Sequence, residues 1–176
     1  MDVTYRIEPA REGDVPLILD LIKGLAVYEK LEDQVVATED GLRASLFGPH
    51  PAAEVVLAYV ASGFSRTSDE AVGFALFFHN FSTFLGTRGL YLEDLFVRPE
   101  WRGRGAGRAL LTHLAKIAAE RACGRFEWSV LDWNEPAIKF YKGLGAKPMD
   151  EWTIFRVTGD ALSALAERSI DAGSRR

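Results

Sequence analysis

The chain has 176 residues, enough to enclose one sizeable core, and its 48% hydrophobic and 26% charged content is that of a folded globular domain. Its net charge of −4 argues against nucleic acid as the main partner, because duplex binding rests on neutralising phosphates, and it tolerates a cationic small molecule. No apolar run reaches the roughly 20 residues that span a bilayer, and "MDVTYRIEPAREGD" lacks a basic segment followed by an apolar one, so a cytoplasmic location without a membrane partner is expected.

In chain order, "TYRIEPA" reads as a short edge strand. "GDVPLILDLIKGLAVYEKL" has helical spacing, with Leu17, Leu21, Leu25 and Tyr28 on one face. Thr38 caps a second helix, "TEDGLRASLFG", which Gly48 stops. The runs "EVVLAYVA" and "AVGFALFFH" suit buried strands, separated by a Ser- and Gly-containing loop at 62–71 that marks a hairpin or meander and not a domain boundary. "GLYLEDLFV" is another strand, ended by Pro99, and "GAGRALLTHLAKIAAER" a strongly amphipathic helix. "RFEWSVL" reads as a strand, and "NEPAIKFYKGLG" as a short helix capped by Asn134 with Gly145 just past its end. "EWTIFRVT" reads as a last strand and "DALSALAER" as a last helix before a polar tail. The order β, α, α, β, β, β, α, β, α, β predicts a mixed α/β or α+β sheet with helices on its faces, in a single domain over 1–170 with a tail at 171–176.

Cys123 is the only cysteine, which excludes an intramolecular disulfide and a thiolate metal site; a buried, inert thiol is expected. His50, His79 and His113 have no ligand spacing, so no metal is expected.

The stretch "RPEWRGRGAGR" lies where a strand turns into a helix. Gly103, Gly105 and Gly107 permit left-handed or crowded backbone and keep Cβ atoms out of a ligand's path. The first N–H groups of the helix then point outward with the positive end of its dipole, which suits a phosphate or diphosphate. Arg102, Arg104 and Arg108 surround that turn with positive charge. A P-loop would need a Lys–Ser/Thr pair that is missing, and a dinucleotide fingerprint would need Gly or Ala where Arg108 stands. An RNA-binding reading of the arginines lacks interleaved stacking aromatics and an overall basic charge.

What remains, Arg102-x-x-Gly105-x-Gly107 between a strand and a long helix, resembles the GNAT superfamily of acetyl-CoA-dependent N-acetyltransferases. "LIKGLAVYEKLEDQV", "LYLEDLFVRPEWRGRGAG", "VLDWNEPAIKFYKGLGA" and "DEWTIFRV" are similar to successive segments of its spermidine/spermine acetyltransferase-like branch, from about Ile7 to about Leu162. The resemblance implies a GNAT fold: a mixed, mostly antiparallel, twisted sheet of about six to seven strands with helices on both faces, acetyl-CoA as co-substrate, a small amine as acceptor, and a homodimer. Acyl-CoA binding without turnover, or acetylation of another amine such as a protein N-terminus or an aminoglycoside, are the alternatives.

Acetyl transfer needs a neutral amine, yet a primary alkylammonium has a pKa of about 10.4, so a group must take its proton. Glu93 and Asp94 stand side by side in an apolar strand, where a carboxylate is costly without a purpose, and alternation sends them to opposite faces. The resemblance assigns Glu93 to amine binding and water-relayed proton removal, with Asp94 second. It assigns Tyr28, Glu29 and Glu151 to the amine side, with Asp150 as alternative to Glu151, and Trp133 and Trp152 as candidate walls. It gives the coenzyme the backbone of Leu95, Phe96 and Val97, the turn Arg102, Gly103, Arg104, Gly105, Ala106, Gly107 and Arg108, and the segment Asn134, Glu135, Pro136 and Ala137. Tyr141 has a phenol suited to protonating a departing thiolate, and the resemblance makes it the general acid in contact with the coenzyme.

Overall fold

In the computed structural model, which describes residues 3–61 and 71–167, alternating apolar residues build one sheet between two helical layers. The chain divides into two compact units, Met1–Ser129 and Val130–Arg176. The predicted loop at 62–71, apart from Ala71, and the predicted tail at 171–176 lie outside the described residues.

The first unit holds a five-stranded sheet in sequential order: β1 (Tyr5–Pro9), β2 (Glu54–Val60), β3 (Ala71–Ser82), β4 (Thr87–Val97) and β5 (Phe126–Trp128). Neighbours from β1 to β4 are antiparallel, and β5 joins β4 in parallel after a helical crossover. Helix α1 (Val15–Glu29) and helix α2 (Glu39–Phe47) lie on one face. There Ile18, Leu21, Leu25 and Leu46 pack against Val55, Leu57, Tyr59, Phe74 and Phe96. The predicted apolar face of α1 is thus correct in kind but is centred on the fully buried Ile18, with Leu17 at its margin. Opposite side chains in a ladder share a face, so Val56, Ala75 and Phe77 belong to the other side. Helix α3 (Ala106–Glu120) covers that side with Ala106, Leu110, Leu111, Leu114 and Ala118, and Arg121 lies over the Phe77 ring.

Helix ends follow the predicted chemistry. Thr38 Oγ1 accepts from the Gly41 N–H at 3.1 Å, and Gly48 ends α2. Helix α1 ends at Lys30, whose left-handed conformation (φ 60°) turns the chain sharply after Tyr28 and Glu29.

The second unit contains α4 (Glu135–Gly143) and α5 (Gly159–Glu167). Between them the structure departs from the sequence reading, because residues 152–158 carry no strand pairing. A strand exists through its ladder partner, and local β propensity cannot supply one. Among the described residues the sheet therefore has five strands and not six to seven. Trp152, Ile154 and Phe155 are left exposed.

Candidate active site

Strand β4 organises the first unit's polar groups. Leu92 stands opposite Phe77 and Asp94 opposite Leu76, so Glu93 is an extra residue, a β-bulge. The bulge resets the alternation. Leu92 shares the α3 face with Phe77, whereas Asp94 joins Leu76 and Phe96 on the α1 face. The simple rule that adjacent strand residues face opposite ways fails at this point, and the bulge explains how a carboxylate comes to lie on an apolar helical face. Glu93 itself is exposed.

Asp94 responds to that position. Burial, then the neighbouring charges of Glu93 and Glu29, push its pKa up to about 6. Burial also raises Glu29 above the usual carboxylate range. Glu29 and Tyr28 form the half-buried last turn of α1. The structure thus brings Tyr28, Glu29, Glu93 and Asp94 into one neighbourhood, a region where a cation would relieve mutual repulsion.

Beside it the sheet opens. β5 pairs with β4 only from Leu90↔Phe126 to Leu92↔Trp128, while β4 continues to Val97. No strand pairs with that edge of residues 93–97 among the described residues. The Phe96 carbonyl points at β3, since a Cβ on Gly73 would lie 2.4 Å from it, and the Arg98 N–H donates to the Val72 carbonyl at 2.9 Å. Backbone alternation therefore turns the main-chain groups of Leu95 and Val97 to the open edge. Of the three residues proposed for coenzyme contact, Phe96 has its backbone committed towards β3. The Val97 carbonyl accepts from Arg102 Nε at 2.9 Å.

The open edge leads straight into the glycine turn. Gly103 (φ 71°) and Gly105 (φ 93°) both take left-handed backbone, which favours glycine. Ala109 makes the first helical bond, to the Gly105 carbonyl, so the N–H groups of Ala106, Gly107 and Arg108 head the helix without intrahelical partners. A Cβ on Gly103 would meet nothing within 4 Å. Open space, donors and dipole together fit a diphosphate. Arg104 stacks its guanidinium 5.2 Å from the Trp101 ring centre and, through its carbonyl, accepts from the Tyr5 hydroxyl at 3.1 Å. Arg98 is structural, donating to Asp20 at 2.7 Å and to the Ala71 carbonyl. Arg102 does not stand loose beside the turn; it folds back onto Tyr28, which the motif alone could not reveal.

In the second unit, Asn134 Oδ1 accepts from the Ala137 N–H at 3.3 Å, with Pro136 in the first turn. That is the predicted cap. Glu135 is exposed and Ala137 half-buried. Tyr141 and Phe140 are both half-buried, their rings 5.5 Å apart. Asp150, Glu151, Trp133 and Trp152 are exposed. Cys123 is free and partly buried, and no cluster of potential metal ligands occurs among the described residues.

A strand edge left open beside a glycine-lined helix start has the room and the donors for an extended, phosphate-ended ligand. The profile of the acetyltransferase (GNAT) family matches residues 26–146, and the chain belongs to this family of acetyl-CoA-dependent N-acetyltransferases. A thialysine N-epsilon-acetyltransferase of Sus scrofa is 40% identical over 164 residues, covering 91% of this chain and 96% of that one. An L-ornithine N5-acetyltransferase of Arabidopsis thaliana is 37% identical, covering 94% and 89%. Among solved structures, an integron cassette protein from the mobile metagenome of V. cholerae aligns with a TM-score of 0.76 at 28% identity, covering 96% and 99%.

Proposed function

We propose that the protein moves an acetyl group from acetyl-CoA to a primary amine of a small cationic substrate, a polyamine, diamine or thialysine- or lysine-like amine, by direct attack in a ternary complex. The reading rests on one observation: the open edge of β4 continues into the glycine turn, with the carboxylates Glu29, Glu93 and Asp94 grouped around the same strand. The similarity to thialysine and ornithine acetyltransferases supports a side-chain amine as acceptor.

In this mechanism the N–H groups of residues 103–108 hold the diphosphate and the open-edge groups of Leu95 and Val97 hold the pantetheine arm. The N–H of Leu95 or Val97 faces the thioester oxygen as it becomes negative. Glu93 binds the amine and removes its proton through water; Asp94, with a pKa of about 6, is the second group able to hold it. The nitrogen attacks the carbonyl carbon, the C–S bond breaks, and Tyr141 donates its phenolic proton to the thiolate. The family resemblance assigns Tyr28, Glu29 and Glu151 to the amine, and Asn134, Glu135, Pro136 and Ala137 to the coenzyme. We take the enzyme to be a cytoplasmic homodimer, an assembly that the exposed Ile154 and Phe155 favour and that sedimentation at micromolar concentration checks.

Incubation with acetyl-CoA and a panel of diamines, polyamines, thialysine, lysine and aminoglycosides, with free thiol release as readout, tests the function. The expected result is the highest kcat/KM with a small dicationic or lysine-like amine. Absence of turnover with every amine, by a protein that still binds coenzyme A, would leave only a binding module.

A further inference from the structure

Arg102 occupies the first position of the glycine motif, where its charge invites assignment to the coenzyme's phosphates. Its side chain goes elsewhere. Nε donates to the Val97 carbonyl at 2.9 Å, and the guanidinium carbon lies 4.2 Å from the centre of the Tyr28 ring and 5.5 Å from that of Phe96. The Phe96 ring is itself seated on α1, where a Cβ on Gly24 would come within 2.9 Å of it. One planar side chain therefore joins the end of β4, the last turn of α1 and the chain just ahead of Gly103.

We propose that Arg102 is a positioning residue for the amine acceptor: it fixes the Tyr28–Glu29 wall against the end of β4 and ties that wall to the coenzyme turn. The argument rests on the acetyltransfer reading above for what the wall receives. Its physical basis is separate. A planar guanidinium can donate in its plane to Val97 while its face covers an aromatic ring, and a lysine ammonium cannot do both. Without the strap, Tyr28 loses a partner on the side facing β4, and Glu29 next to it loses its fixed approach to Asp94, whose pKa it helps to raise.

The test compares the wild type with Arg102→Lys, Arg102→Gln, Tyr28→Leu and the Arg102→Gln/Tyr28→Leu double variant. Each is assayed for amine KM at saturating acetyl-CoA and for acetyl-CoA KM at saturating amine. A partly exposed cation–π contact corresponds to ~2–5-fold in affinity. Arg102→Lys should raise the amine KM by about that factor, with the acetyl-CoA KM changing by less. The double variant should fall short of the product of the two single effects, because both single changes break the same contact. A rise in acetyl-CoA KM alone, or fully multiplicative single effects, would overturn the proposal and return Arg102 to the phosphates. A second readout needs no turnover. The Arg102 Nε–H proton should be ring-shifted in NMR spectra of the wild type and Tyr28→Phe and should lose that shift in Tyr28→Leu; an unchanged signal in Tyr28→Leu refutes the strap. Failure of every amine to react would sink the acetyltransfer reading while the NMR comparison still decides the contact.

Discussion

At the scale of single residues, Asp94 links chemistry to stability. Its carboxyl is held at about 6 in the folded chain against an ordinary value near 3.8, with burial as the main cause. A carboxyl whose pKa is raised on folding favours the native state while protonated, below about pH 4. That advantage is lost as pH rises through 6. Ionised Asp94 thus destabilises the fold at neutral pH, by at most about 3 kcal/mol. Asp94→Asn should melt close to the wild type at pH 4 and above it at pH 8, the gap opening between those values in a thermal-melt series. An equal gap at both pH values would mean that the charge is already solvated or paired. If Asp94 also holds the amine's proton, wild-type log kcat/KM against pH should steepen below about pH 6, and Asp94→Asn should lack that steepening. The sequence announces two acids inside an apolar strand and so marks the place. Which one is buried is decided by the bulge at Glu93, and single-sequence alternation carries no sign of a bulge unless the cost of a buried carboxylate is allowed to argue for one.

Elements come next, and the turn between β4 and α3 is the one whose sequence determines its shape most directly. Gly105 caps α3 at φ 93°, a conformation that costs an L-residue roughly 1–2 kcal/mol. The Cβ of an alanine there would meet only Tyr5, at an ordinary 3.9 Å, so the penalty is one of backbone and not of collision. Gly105→Ala should lower stability by about 1 kcal/mol in urea unfolding. It should weaken coenzyme A binding by more than tenfold in calorimetry, because the first-turn donors would be re-aimed. Unfolding at the wild-type midpoint with unchanged affinity would show that the turn tolerates the residue and does not grip the ligand. The turn was legible because glycine spacing and a following amphipathic helix are local signals. The caps Thr38 and Asn134 were legible for the same reason: a side-chain oxygen three residues ahead of a helical N–H needs no distant partner. The strand expected over "EWTIFRVT" does not form, because strand character depends on a partner that local sequence does not name. Arg102 was half-read: its presence in the motif is local, but its contacts reach from residue 102 back to residue 28.

For the molecule as a whole, the charge pattern imposes opposite demands on the two ligands. The chain carries a net −4, yet Arg104 and Arg108 place positive charge at the glycine turn, while Glu93 and Asp94 on β4 and Glu29 at the end of α1 group negative charge beside it. Composition alone supplies only the total, which argues against nucleic acid as the main partner; the separation of signs appears once β4 leads from the carboxylates into the turn. A cationic amine is drawn by the net field and by the carboxylates together. The polyanionic coenzyme is repelled by the net charge and attracted locally by the turn. Long-range attraction is screened as the Debye length shrinks from about 10 Å at 0.1 M salt to about 3 Å at 1 M, whereas close contacts in the turn are screened less. Raising salt across that range should therefore lower kcat/KM for a dicationic amine several-fold, and lower it less for a monocationic one. Steady-state rates with a diamine and its mono-N-acetylated analogue at three ionic strengths supply the comparison. Equal salt dependence for the two would show that the grouped carboxylates do not steer the substrate, and amine selection would then have to come from the shape of the site alone.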